Sequence, residues 1–322
     1  MSGAALVLAA STPAGGGPRQ RRETPPSMHS LSVGGTADRV AVGPSGVWVG
    51  DLSRLARVDP TSEAIVEVPG ATTPIGVGAA AVFAGVYTRP DTVGRVDPTG
   101  ARVGTTITVG GSPAAVAVAG ASLFVLDAGG TLTRLDATTG TVTGQRPLGS
   151  FGFALAVAGG AVWASGRTAD PNAGPLGSLR APHTQAVLWR VDPVTLGVVA
   201  TIPTGANCDA LAASDAVAWA GCGTARRIDA SADRLVSTKA GALNGIAVGE
   251  GAAWALSPDG TVTRLDASTG RVVGTIVVPS GSEGIAAGDG ALWVANPHLH
   301  DPPTEQGTAT LLRVAVGAGG GG

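Results

Sequence analysis

The chain reads as all-β and as seven copies of one unit, and three observations carry that reading. Apolar runs of strand length alternate with turn chemistry from end to end, and none reaches the roughly ten residues a helix wants. Arg-x-Asp recurs as Arg57-Val-Asp59, Arg95-Val-Asp97, Arg134-Leu-Asp136, Arg190-Val-Asp192, Arg227-Ile-Asp229 and Arg264-Leu-Asp266, with a degenerate Arg313-Val-Ala315. An aromatic precedes each copy: Trp48, Phe83, Phe124, Trp163, Trp219, Trp254 and Trp293. Spacings of 38, 39, 56, 37, 37 and 49 between the arginines define a unit of propeller-repeat size with insertions in the fourth and seventh copies. The predicted fold is a seven-bladed β-propeller of four-stranded blades.

The clearest copy is Gly245 to Val278. Its four runs are Gly245 to Val248, Ala252 to Leu256, Thr261 to Asp266 and Val272 to Val278. Gly249-Glu250-Gly251 supplies a tight hairpin, Pro258-Asp259-Gly260 a second turn, and Asp266 to Gly270 a third that ends on a glycine suited to positive φ. The runs are apolar on both faces, which fits a sheet sandwiched between two neighbouring sheets.

Residues 1–28 differ in kind: a short apolar run, Ala4 to Ala10, then a Pro/Gly-rich stretch and the basic cluster Arg19, Arg21 and Arg22. They read as a leader, either a signal-peptide remnant or a disordered tail. The propeller is expected over residues 29–316, with 317–322 a glycine tail. The seventh copy stops after its third strand, whereas His29 to Gly35 aligns with Thr105 to Gly111, a fourth strand and its exit. Residues 29–33 are therefore expected to complete the last blade and close the ring.

Bulk properties narrow the partners. A net charge of −2 and 3% aromatics provide neither a basic face nor stacking platforms, which argues against nucleic acid. Every apolar run breaks well short of the roughly 18 residues a membrane-spanning helix needs. The expected state is a monomer.

Seven recurrences of one aromatic argue for packing between blades, and the repeated Arg-x-Asp is read as scaffold, its aspartate opening the turn into the fourth strand. Cys208 and Cys222 flank the first hairpin of the fifth blade, whose turn centres on Ser214-Asp215-Ala216. That register sets them opposite each other, and the reading is a disulfide, with two buried thiols as the alternative.

The insertions Gly166 to Gln185, Asn296 to Gly307 and Tyr87 to Asp91 all fall between second and third strands, so they emerge on the side where fourth-to-first connections open. This is the expected binding face, with Tyr87, Arg89, Arg167, His183, Asn207 and Asn244 as its candidate residues. His298, His300 and Asp301 could hold a divalent metal, and His298, His300 and Glu283 are the candidates for acid–base chemistry. A His-x-His loop without function is the alternative.

The stretches GEGAAWALSPDGTVTRLDASTGRVVGTIVV and GDGALWVAN resemble the YVTN-type repeat propellers and the virginiamycin B lyase-like superfamily, over residues 29–316. That resemblance implies the propeller fold and a membership that includes extracytoplasmic binding proteins, sensor domains and one antibiotic-opening lyase. Lyases of the group use histidines and a glutamate near magnesium at a spacing that His298, His300 and Glu283 do not match, so no catalytic residue carries over. Asp259-Gly260 and Thr269-Gly270 are similar to quinoprotein blades, whose terminal Trp is missing here. Two readings follow: an exported, non-catalytic propeller binding a small molecule, glycan or protein partner without a required cofactor, or a metal-assisted lyase or hydrolase near His298 and His300. A sensor or accessory domain of a larger system is a further alternative.

Overall fold

The computed structural model describes residues 27–78, 81–97, 99, 101–169, 184–214, 216–297 and 309–316. Seven antiparallel sheets of four strands follow one another along the chain. Their first strands touch in cyclic order, the strand of blade one packing on those of blades two and seven, so the sheets form a ring around an axis. The predicted seven-bladed propeller is the observed fold.

The recurring aromatic explains the blade. On its second strand each aromatic pairs across to a small residue of the first strand, as Trp48 with Ala41, Phe83 with Gly76 and Trp254 with Ala247. On its other side it pairs with the arginine of Arg-x-Asp, as Trp48 with Arg57, Trp254 with Arg264 and Trp293 with Arg313. The guanidinium carbons of Arg190, Arg264 and Arg313 lie 5.9, 5.3 and 5.7 Å from the Trp163, Trp254 and Trp293 rings, within cation–π range. Each Trp and Phe of the series is buried, and the indole N–H of Trp254 donates to the Gly249 carbonyl at 3.0 Å. Burying a ring of this size stabilises by roughly 1.5–3 kcal/mol. The aspartate two residues on caps the next turn: Asp266 accepts from the Ser268 and Thr269 amides at 3.2 and 2.8 Å. Hydrogen bonds from the Ser268 hydroxyl and from Thr269 hold its pKa down at about 2.

Ring closure follows the expected exchange. Met28–Ser32 pairs antiparallel with Thr310–Ala315, register Leu31 to Leu311, and so supplies the fourth strand of blade seven. Leu31 and Val33 are buried in a cluster shared with Trp293 and with Val47 and Val58 of blade one. The closing strand thus joins the last blade to the first.

One position fixes the connections of three blades. In blades one, five and seven the residue three after the aromatic, at the end of the second strand, holds the fourth-to-first connection that enters its own blade. In blade one it is Asp51, only 5% exposed. Its carboxylate accepts from the Thr36 amide and hydroxyl at 3.0 and 2.7 Å and from the Ala37 amide at 3.3 Å. It also accepts from the Ser53 amide and hydroxyl, both at 2.6 Å, and the Arg54 amide at 3.1 Å. In blade seven Asn296 does the same with an amide, donating to the Ser280 carbonyl at 3.0 Å and the Ser282 hydroxyl at 3.2 Å. In blade five the position is Cys222, disulfide-bonded to Cys208 of the entering connection.

The hairpin of blade five differs in register from the expectation. Ala213 pairs with Ala218 and Ala210 with Gly221, so its axis lies half a residue beyond Asp215, which is itself outside the described residues. That ladder would set Cys222 opposite Asp209. The bond to Cys208 forms because the first strand begins only at Ala210, leaving Cys208 in a connection that no ladder constrains.

Deleting residues 1–33 removes the closing strand, and a large fall in melting temperature with aggregation is expected; an unchanged value refutes the closure. Reducing the disulfide, or Cys222→Ser with Cys208→Ser, should cost about 3 kcal/mol for a loop of this length, read by denaturant titration. Burial alone would raise the Asp51 pKa, but hydrogen bonds from Ser53 and Thr36 win and hold it well below the usual range. A carboxyl depressed on folding contributes stability above its unfolded pKa of about 3.9 that disappears as pH falls toward the folded value. Asp51→Ala should therefore lower stability by about 2–4 kcal/mol at pH 7 and flatten the acid limb below pH ~4; an acid limb as steep as in the unchanged protein excludes this role for Asp51.

Candidate functional site

Alternating strand direction puts second-to-third and fourth-to-first connections on one face of the ring. The long insertions leave from that face, between Ala169 and Thr184 and beyond the Asn296 to Thr310 pair. Strand pairing trims their predicted extent. Residues 166–169 and 184–185 extend the blade-four hairpin, and in blade two Val86 pairs with Arg89 across the turn Tyr87-Thr88, while Pro90, Asp91 and Thr92 are skipped before Gly85 pairs with Val93. His183, His298, His300 and Asp301 lie outside the described residues.

An axial cavity of about 430 Å³ opens at this face, lined by the beginnings of all seven first strands. Backbone geometry sorts them into two kinds. In blades two, three and four the ladder skips residues near the start of the first strand: Thr73-Pro74, Ala114 and Phe153 are left unpaired in β-bulges and line the cavity. A bulge re-aims the side chain it carries, and bulges gather beside functional sites for that reason. In blades five, six, seven and one the regular ladder starts later, at Ala210, Gly245, Gly284 and Arg39, and the residue just before is Asp209, Asn244, Glu283 or Asp38. One side of the mouth is thus apolar and the other polar and charged.

The charged side is electrostatically crowded. Burial pushes the Asp38 carboxyl up, Arg39 draws it back down, and nearby Glu283 pushes it up again. One Asp38 carboxylate oxygen is shut off from solvent without a hydrogen-bond partner among the described residues. Blades one and seven meet so closely here that a Cβ on Gly284 would stand 2.7 Å from the Asp38 carbonyl oxygen. Asp209 and Arg39 are exposed. On the apolar side, the side chain of Leu52 at the lip is 80% exposed.

The residues expected at this face divide between frame and surface. Arg167 and Asn207 come together: the guanidinium donates to the Asn207 side-chain oxygen at 2.9 Å and to the Thr184 hydroxyl and carbonyl at 2.9 and 3.0 Å. They tie the blade-four hairpin to the connection entering blade five. Ser165 strengthens that tie, its hydroxyl donating to the Cys208 carbonyl at 2.6 Å. Asn244 lines the cavity and donates to the Ser282 carbonyl at 2.8 Å. Glu283 lines it from the adjacent blade. Tyr87 is exposed at its turn, and Arg89 opens the third strand of blade two and is absent from the cavity lining.

Arg39, Asp209, Phe153 and Leu52 escaped the sequence reading. A signal for three of them was present: counting back two or three residues from the small residue opposite each aromatic reaches Arg39, Phe153 and Asp209.

No family model matches the sequence, and a search of curated proteins finds no match. Solved structures share the fold at low identity. A chain described as "Crystal Structure of Mitotic Checkpoint Complex" is 13% identical over 98% of this chain and 99% of that one, with a TM-score of 0.69. One described as "Structure of U3-55K" is 10% identical over 89% and 98%, with a TM-score of 0.65. The computationally designed Ika8 protein is 14% identical over 88% and 97%, with a TM-score of 0.58. These likenesses identify a propeller, and at such identities the fold alone.

Proposed function

We propose that this chain is a non-catalytic, extracytoplasmic binding module whose small-molecule ligand sits in the axial cavity. The observation that carries the reading is the set of three bulges that turn Thr73-Pro74, Ala114 and Phe153 out of their ladders and into one cavity of about 430 Å³. Such irregularity weakens pairing locally, so it is retained where the re-aimed residue is needed. The volume lies in the range of ligand sites, and its mix of apolar walls with a few polar groups is their usual lining. The connections around the mouth are fastened by Asp51, Asn296 and the Cys208–Cys222 disulfide, which supports a preformed site. The disulfide also supports an oxidising compartment, and the resemblance of the repeats to virginiamycin B lyase-like propellers accords with export.

Filling the cavity tests the seat. A thermal-shift screen over small molecules and glycans should yield ligands that raise the melting temperature. Ala114→Trp, placed on a bulge that already faces the cavity, should abolish that rise while leaving the ligand-free melting temperature within about 2–4 °C. A ligand that stabilises the plugged variant as well as the parent binds elsewhere and refutes the axial seat.

A further inference from the structure

We infer that the ligand of this cavity is a small organic cation, an amine or guanidine joined to an apolar body. This rests on the axial seat proposed above and adds the chemistry of its occupant.

Two independent features point the same way. The first is the apolar half: Pro74, Pro113 and Phe153 form a continuous arc from blade two to blade four, with Leu52 at its lip. An apolar arc that faces solvent gains by contact with an apolar surface. The second is charge. Across the axis the lining carries Asp209 and Glu283 against Arg39, its single cation among the described residues, and Asp38 precedes Arg39 in the chain and interacts electrostatically with it and with Glu283. Glu283 and Asp38 repel each other, and one Asp38 oxygen is enclosed without a donor. A cation held near them relieves that repulsion, whereas an anion would add to it.

Geometry favours a small molecule over a protein chain. The cavity is set into the ring axis and walled by seven strands, which suits a compact occupant of a few rings more than an extended segment lying across the face. A ligand with its ring against Phe153 and its cationic end toward Glu283 and Asp209 would satisfy both halves at once.

The experiment uses the full chain at low salt and three probes of one shape: 2-phenylethylamine, 3-phenylpropionate and 2-phenylethanol, titrated by calorimetry. The amine should bind about tenfold or more tightly than the carboxylate, with the alcohol between them. Asp209→Asn with Glu283→Gln should weaken the amine about tenfold and leave the alcohol unchanged. Arg39→Gln, which removes the opposing cation, should tighten it. Phe153→Ala should weaken the amine and the alcohol alike. All variants should stay folded, with melting temperatures within a few degrees of the parent.

Carboxylate binding as tight as amine binding overturns the inference, as does amine binding indifferent to the double variant. If none of the three probes binds, the inference also falls. The axial seat is judged separately by the plugged Ala114→Trp variant with whatever ligand the screen finds, so an anion or glycan excluded by the plug would retain the seat and reject the cation.

Discussion

The inner strands of every blade are apolar on both faces, and from that constraint the rest of the structure follows. A sheet of this kind cannot be half-exposed, so each must be sandwiched, and a row of such sheets always leaves two uncovered ends. Bending the row into a ring abolishes both ends. The ring holds only if its last sheet meets its first, and here the chain's first strand is laid beside its last. Leu31 and Val33 are buried with Trp293 on one side and Val47 and Val58 on the other. Closure is thus a packing event as much as a hydrogen-bonded one.

A ring of stacked sheets leaves the connections to be fixed separately, because no ladder reaches them. In blades one, five and seven the end of the second strand performs that task, with three chemistries. Asp51 gathers six hydrogen bonds, Asn296 donates to the connection entering its blade, and Cys222 bonds covalently to Cys208. The equivalence shows what the disulfide is for. It stands where blades one and seven place a polar side chain, and it fixes the connection that carries Asn207 and Asp209, with loop-entropy stabilisation alongside. Arg167 and Ser165 brace the same connection from blade four.

How far the sequence spoke depended on whether a constraint repeats. The aromatic, the small residue opposite, Arg-x-Asp and the turn glycines recur because each blade solves one packing problem, and recurrence made the strands, their number and the closing segment legible. The disulfide was legible in pairing although not in register, since Ala213 pairing with Ala218 moves the hairpin axis past Asp215. The bulges at Thr73-Pro74, Ala114 and Phe153 were not legible, because an unpaired residue at a strand start carries no period. Arg167 and Asn207 were singled out one at a time, and the hydrogen bond that joins them across two blades could not be read from sequence positions 40 residues apart.

The same logic locates specificity. Within a blade, a residue opposite the aromatic must be small and a residue on the second strand must be apolar, so those positions have little freedom to encode a ligand. Three residues earlier, at the mouth end of the first strand, that uniformity stops although the backbones of Asp38, Asn244 and Glu283 still bond to their second strands. There the seven blades read Asp38, Thr73, Ala114, Phe153, Asp209, Asn244 and Glu283, a set with no common character. Diversity at one structurally equivalent position, set among neighbours that are nearly uniform, is what a scaffold shows where its geometry has stopped choosing the residue. The arrangement of that diversity into an apolar arc over blades two to four and a charged arc over blades five to one gives the mouth a polarity that packing cannot account for, and a ligand with an apolar end and a cationic end can.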